Sequence, residues 1–273
     1  MWYGEDYMES RYIDIHTHLN LEAFAEDWES VCDRALDAGV ACINVGTGMQ
    51  TSERAVELAH SHEEGIFATV GIHPTHTTGD ASEPFMYEEY KALASNPKVV
   101  AIGECGLDYF RVSKDSKKLQ EEIFIAQISL ANELGKPLML HVRGSEGSVD
   151  AYEDALTILK THAKVLGNVH FFAGTYEIAK RFWDLGFTTS FTGVITFAHQ
   201  YDEIIKHAPL EMLHAETDAP YVAPVPYRGK RNEPLYVKEV YKRIAEVRDE
   251  DEEKVREALL QNAVRMFGVL VKD

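Results

Sequence analysis

The sequence predicts an α/β protein, a (β/α)8 TIM barrel formed as a single domain over residues 1–273. Three observations carry this expectation. Apolar, β-branched runs alternate with helical patterns from one end of the chain to the other. Eight such runs fit the length at about 30 residues per strand–helix unit. Several runs end on a histidine or a carboxylate, and a parallel barrel gathers the carboxyl ends of its strands at one mouth.

In chain order the expected strands are 12–16, 41–46, 66–71, 99–104, 138–141, 168–172, 187–192 and 212–216. Helical stretches at 27–38, 52–61, 86–94 and 117–134 separate them. In the last of these, Leu119, Ile123, Ala126, Leu130 and Leu134 recur at helical spacing and define the expected buried face. Gly39, Gly135 and Gly186 follow helices at positions suited to C-caps. The acidic run at 249–253 opens the final helix, where negative charge favours the helix dipole, and Leu259, Val264 and Phe267 pack that helix on the barrel. No linker or low-complexity segment divides the chain.

Hydrophobic residues make up 45% of the chain, which argues against disorder. No apolar run is long enough to cross a bilayer, and the best C-terminal stretch is broken by Arg265. The N-terminus is acidic and lacks the basic and apolar regions of a signal peptide. Cys32, Cys42 and Cys105 show no C-x-x-C spacing and read as reduced thiols, so a cytoplasmic location is expected. The net charge of -18 excludes a protein that coats duplex nucleic acid, which needs many cationic contacts. It leaves room for phosphate in one cleft made attractive by metal ions and a few arginines.

Six residues form a candidate metal set: His16, His18, Glu104, His141, His170 and Asp218. His16 and His18 stand two apart, so on a strand both imidazoles face the barrel mouth. Asp14 precedes them on the same face and is expected to orient a ligand or touch the metal weakly. Glu104 follows an apolar strand in a Gly-Glu-Cys-Gly-Leu-Asp turn, and its two oxygens can bridge two ions. Gly103 and Gly106 leave room there for close approach. His141 and His170 end the next strands. Six protein ligands exceed what one tetrahedral zinc uses and suit two ions. One ion is assigned His16, His18, Glu104 and Asp218, and the other Glu104, His141 and His170. Asp218 is also expected to accept a proton from the attacking water. Glu216, two residues earlier, is a supporting group.

These residues sit in motifs that, taken in order, resemble the TatD-like metal-dependent deoxyribonucleases of the amidohydrolase superfamily. The motifs are Asp14-Ile-His-Thr-His18, Gly71-Ile-His-Pro74, Gly103-Glu-Cys-Gly-Leu-Asp108, Leu140-His-Val-Arg143, His170-Phe-Phe-Ala-Gly174, Glu216-Thr-Asp-Ala-Pro220, Arg228-Gly-Lys-Arg-Asn-Glu-Pro234 and Asn262-Ala-Val-Arg265. The resemblance implies a TIM barrel, a site for one or two divalent ions, and 3′-to-5′ exonuclease or related phosphodiesterase activity. It implies the same six ligands, with Asp108 among the supporting residues. The chain departs from the family pattern at Phe171, Thr75 and Asn20, all near the expected mouth.

For a phosphodiester substrate, His73 is expected to bind phosphate or protonate the leaving oxygen. Arg143, Arg228 and Arg231 are the expected phosphate clamps, because a guanidinium fork suits phosphate oxygens. So few cations suit a single-stranded DNA end or a small phosphate-containing substrate. No membrane and no obligate protein partner is evident. Mg²⁺, Mn²⁺ or Zn²⁺ would serve. Trp2, Tyr109, Trp183 and Tyr227 are rings that could stack bases. The alternative is a metal-dependent hydrolase of an amide, lactone or aminoacyl ester. A third reading is a metal-binding barrel without turnover, although none of the ligands is missing.

Overall fold

Eight strands form one parallel sheet in the computed structural model, which describes residues 11–77, 82–111 and 116–269. They are β1 (Tyr12–Thr17), β2 (Val40–Val45), β3 (Ile66–Val70), β4 (Val99–Asp108), β5 (Leu138–Arg143), β6 (Gly167–Val169), β7 (Thr188–Phe191) and β8 (Leu213–Ala215). Each pairs with the next in sequence. The barrel closes where Thr17 bridges to Ala219. Beside that bridge the His18 amide donates to the Ala219 carbonyl at 2.8 Å and the Asp218 amide to the His16 carbonyl at 2.9 Å. The seam between first and last strands therefore runs through three of the six candidate ligands. The expected eight-stranded barrel is the observed one.

The helices are α1 (Trp28–Asp37), α2 (Met49–His60), α3 (Tyr87–Ala94), α4 (Lys117–Leu134), α5 (Asp150–His162), α6 (Tyr176–Asp184), α7 (Asp202–His207), α8 (Val237–Arg248) and α9 (Glu252–Phe267). An outer core joins strand residues such as Val40, Cys42, Ala68 and Val70 to buried helix residues such as Val31, Phe124 and Ile244. A second core fills the barrel, where Ile13, Ile43, Phe67 and Met139 meet Leu260, Ala263 and Phe267 of α9. Helix α9 thus plugs the amino ends of the strands and leaves the opposite mouth to polar groups. Asp251 caps it by accepting the Lys254 amide.

Two expectations need correction. The Gly-Glu-Cys-Gly-Leu-Asp segment is not a turn: β4 runs through it, with a register shift between Ile102 and Cys105. A Cβ on Gly103 would strike the Met139 carbonyl, and one on Gly106 the His141 carbonyl, so the glycines let β4 press against β5 while bulging. The buried face of α4 is also rotated from the apolar stripe expected. Leu130 is buried as expected and Ile123 and Leu134 are partly buried against the core, but Leu119 is exposed, and Gln120, Phe124, Gln127, Ile128 and Ala131 are buried. The glutamines belong inside because each satisfies strand-end backbone. Gln120 accepts the Asp108 amide and donates to its carbonyl, and Gln127 does the same for Ile72.

Candidate active site

All six predicted ligands meet at the carboxyl end of the barrel. His16 lies within the irregularity of β1 between Asp14 and Thr17 and His18 just beyond the strand, and their Nε2 atoms lie 3.1 Å apart. Asp218 reaches them from beyond β8, with Oδ1 3.3 Å from His18 Nε2 and 3.8 Å from His16 Nε2. Its backbone is left-handed (φ 55°), an uncommon conformation outside glycine and asparagine that is held here by its bond to His16.

Glu104 lies between two sets of imidazoles. Its Oε2 is 3.6 Å from His16 Nε2 and 3.8 Å from His18 Nε2. Its Oε1 is 3.0 Å from His141 Nδ1, 2.9 Å from His170 Nε2 and 3.5 Å from His73 Nε2. Burial alone would raise the Glu104 pKa, but His170, His73, His141 and His16 outweigh it and hold the carboxyl well below its usual range. Asp218 behaves alike: burial opposes its charge, and His18, His170 and His16 prevail to keep it low.

Four donor separations fit a shared divalent ion, while Glu104–His16, Glu104–His18 and His16–Asp218 are wider at 3.6, 3.8 and 3.8 Å. Two ligand atoms each about 2.1 Å from one ion, at tetrahedral to octahedral angles, stand about 3.0–3.4 Å from each other. The His16–His18, His18–Asp218, Glu104–His141 and Glu104–His170 separations match that range to within about 0.1 Å. Ring orientation agrees. The Val45 carbonyl at 2.9 Å can only accept from His18 Nδ1, which leaves the His18 Nε2 lone pair facing the site. Three local clusters bring candidate ligand atoms together: His16, His18 and Asp218; His16, Glu104 and His170; and His73, Glu104 and His141, although His73 turns a protonated nitrogen to the site.

His73 differs from the others. Its Nδ1 accepts the Thr75 amide at 3.1 Å, so the neutral ring carries its proton on Nε2. Burial, with His141 nearby, drives its pKa well down and keeps it neutral. It therefore presents an N–H to the site.

Two of the ligating rings have a carboxylate behind them. Asp108 Oδ2 lies 3.0 Å from His141 Nε2. Glu216 Oε1 lies 3.4 Å from His170 Nδ1, and Oε2 accepts the Ser190 hydroxyl at 2.7 Å. Ser190 in turn accepts from Asn168, which accepts from Thr188 (2.7 and 3.1 Å), a polar column inside the barrel that sequence reading missed. Asp14 accepts the Thr217 amide at 2.8 Å, the Thr217 hydroxyl, and the His16 amide at 3.2 Å. It ties the two ends of the barrel together, and its oxygens are engaged by those bonds.

A cavity of about 780 Å³ opens over this cluster. Arg143 lines it, but Arg228 and Arg231 do not. Arg231 makes a two-pronged bond to Asp27 at 2.8 and 2.6 Å, and Arg228 bonds the Ala223 carbonyl at 2.9 Å and covers Phe197. Their guanidiniums hold loops in place, a competition from nearby acceptors invisible in the basic cluster alone. Arg111 lines the cavity instead, along with Phe171 and Tyr221. The signal for these was their position, one to three residues after His170, Asp108 or Asp218. Of the rings proposed for stacking, Tyr109 bonds Asp154, Trp183 is buried against Thr189, and Tyr227 stacks on Tyr236, while Trp2 lies outside the described residues.

A parallel barrel whose strand ends converge histidines and carboxylates at ion-ligating distances defines a metal-dependent hydrolase. The family model described as TatD related DNase matches residues 13–268, and the chain belongs to that family. It is 39% identical over 261 residues to the uncharacterized metal-dependent hydrolase YabD of Bacillus subtilis, covering 94% of this chain and 98% of that protein. It is 33% identical over 267 residues to the 3'-5' ssDNA/RNA exonuclease TatD of Pantoea ananatis, covering 94% and 99%. Among solved structures, the TatD homolog YjjV from Escherichia coli superposes with a TM-score of 0.83 at 30% identity, over 96% of this chain and 99% of that one.

Proposed function

We propose that this chain cleaves phosphodiester bonds at the end of a single nucleic-acid strand in the 3′-to-5′ direction, using one or two divalent ions. The observation that carries this reading is Glu104, whose two oxygens face separate histidine sets beneath a cavity lined by Arg111 and Arg143. His16, His18, Asp218 and Glu104 would hold one ion, and Glu104, His141 and His170 the other. Bound there, Mg²⁺, Mn²⁺ or Zn²⁺ lowers the pKa of water and neutralises charge on the attacked phosphate. Asp218 is ionised and accepts the proton from the attacking water. His73 donates its Nε2 proton as a hydrogen bond to a phosphate oxygen. Arg143 and Arg111 orient the remaining oxygens. The free, buried cysteines suit a reducing compartment, and on that ground we assign the chain to the cytoplasm. No helix of the described residues is long and apolar enough to cross a membrane. No observation in the site favours an amide, lactone or aminoacyl ester over a phosphodiester.

The test is hydrolysis of a 5′-labelled single-stranded oligonucleotide alongside a lactone and an aminoacyl ester on one preparation. The expected result is stepwise shortening of the oligonucleotide, abolished by chelator and restored by Mn²⁺ or Mg²⁺. Faster turnover of the lactone or ester, or oligonucleotide hydrolysis that survives exhaustive chelation, overturns the reading.

A further inference from the structure

We propose that the mouth contains a nucleobase subsite in which the ring of Tyr221 stacks on an unpaired base while Arg111 and Arg143 hold the adjoining phosphate. This rests on the nuclease reading above and adds how the strand is gripped.

Tyr221 leaves 53% of its surface exposed, although it lines the cavity. Its mount is rigid. The amide donates to the Asp218 carbonyl at 2.9 Å, and the carbonyl accepts from Asn232, a buried side chain that also holds the Thr217 carbonyl. Phe110 is 49% exposed and carries the Arg143 guanidinium 4.0 Å from its ring centre. The amides of Phe110 and Arg111 both bond Asp108 Oδ1, at 3.0 and 2.8 Å. Phe171 lines the cavity from a left-handed backbone position (φ 44°), with its amide on Glu216 at 2.6 Å.

A common rule emerges from these mounts. Asp108 positions His141 and also Phe110 and Arg111. Glu216 positions His170 and also Phe171. Asp218 carries Tyr221 three residues on. The groups that orient the hydrolytic centre thus also aim its aromatic rim, so ring and reacting phosphate keep a fixed separation. An exposed aromatic face gains from a planar, uncharged partner, and stacking on a base supplies about 1–3 kcal/mol. That matters on a chain of net charge -18 whose cavity is lined by only Arg111 and Arg143 among the lysines and arginines of the described residues. Bases in a duplex already stack on one another, so this subsite selects single strands.

The experiment measures binding of a short thymidine oligomer and of the same oligomer with abasic residues at its two 3′ positions. The full chain carries Asp218→Asn to prevent turnover. Tyr221→Ala should weaken the intact oligomer about 5- to 100-fold and change the abasic one by less than about twofold. Tyr221→Trp should restore the intact oligomer. In the active protein, Tyr221→Ala should raise KM for the oligomer and leave kcat unchanged. Equal losses on both oligomers, or no loss on either, overturns the subsite. The nuclease reading fails on a separate observation, namely no cleavage of single strands by the metal-loaded protein, and the binding comparison does not depend on it.

Discussion

Glu216 Oε1 lies 3.4 Å from His170 Nδ1, on the side of the ring opposite the Nε2 that faces Glu104. A carboxylate behind a ligating imidazole favours a proton on the inner nitrogen and makes the outer one a better donor, here through charge rather than a hydrogen bond, since Nδ1 has no such partner among the described residues. Glu216→Gln should therefore weaken metal binding by about 10- to 100-fold while keeping the fold. Metal titration by calorimetry, beside far-ultraviolet circular dichroism, checks it. An unchanged affinity would remove Glu216 from the support of His170.

Asp218→Asn keeps the volume of the side chain and the backbone bonds that close the barrel. It removes the carboxylate held ionised by His18, His170 and His16. Turnover should fall by about 100-fold or more. Wild-type rates in a well-folded variant would take Asp218 out of the chemistry.

His214 gives a pH signature away from the ligands. It is fully buried near Phe267, neither ring nitrogen has a partner among the described residues, and burial with Arg265 pushes its pKa down to about 3. The folded state resists protonation that the unfolded chain accepts near pH 6.5. Stability from this group is complete above pH 6.5 and declines as pH falls toward 3, by on the order of 5 kcal/mol in all. His214→Leu should flatten the acid limb of a denaturation series relative to wild type. Parallel limbs would show that the group does not titrate as described.

The thiols of the folded chain should be silent. Cys32, Cys42 and Cys105 are buried; burial, with Asp33 and Glu29 nearby, pushes the Cys32 pKa up to about 12, and burial raises the other two. At pH 8 the thiolate of Cys32 is about one part in ten thousand. Ellman's reagent should label no cysteine of the native protein and all of them in denaturant. Rapid native labelling would place one of them at the surface.

Much of this was legible because strand ends are local signals. His16, His18 and His141 terminate apolar runs, and a barrel brings such ends together whatever lies between. The extent of β4 was not legible, since Gly103 and Gly106 read as turn residues until β5 is set beside them. Gln120 and Gln127 were overlooked because their burial depends on backbone atoms of Asp108 and Ile72, which periodicity does not see. Arg228 and Arg231 looked like clamps because a run of cations does not reveal that Asp27 and Ala223 face it. Phe110 and Tyr221 were passed over because their exposure is a property of the assembled rim.

The Thr17–Ala219 bridge and its flanking bonds close the sheet at a seam that has no further strand ladder among the described residues. His16 and His18 stand on one edge of that seam and Asp218 on the other. A cation held by these three would be a clasp between the beginning and the end of the barrel. Loading that site should therefore raise thermal resistance by adding to the backbone bonds that already close the barrel.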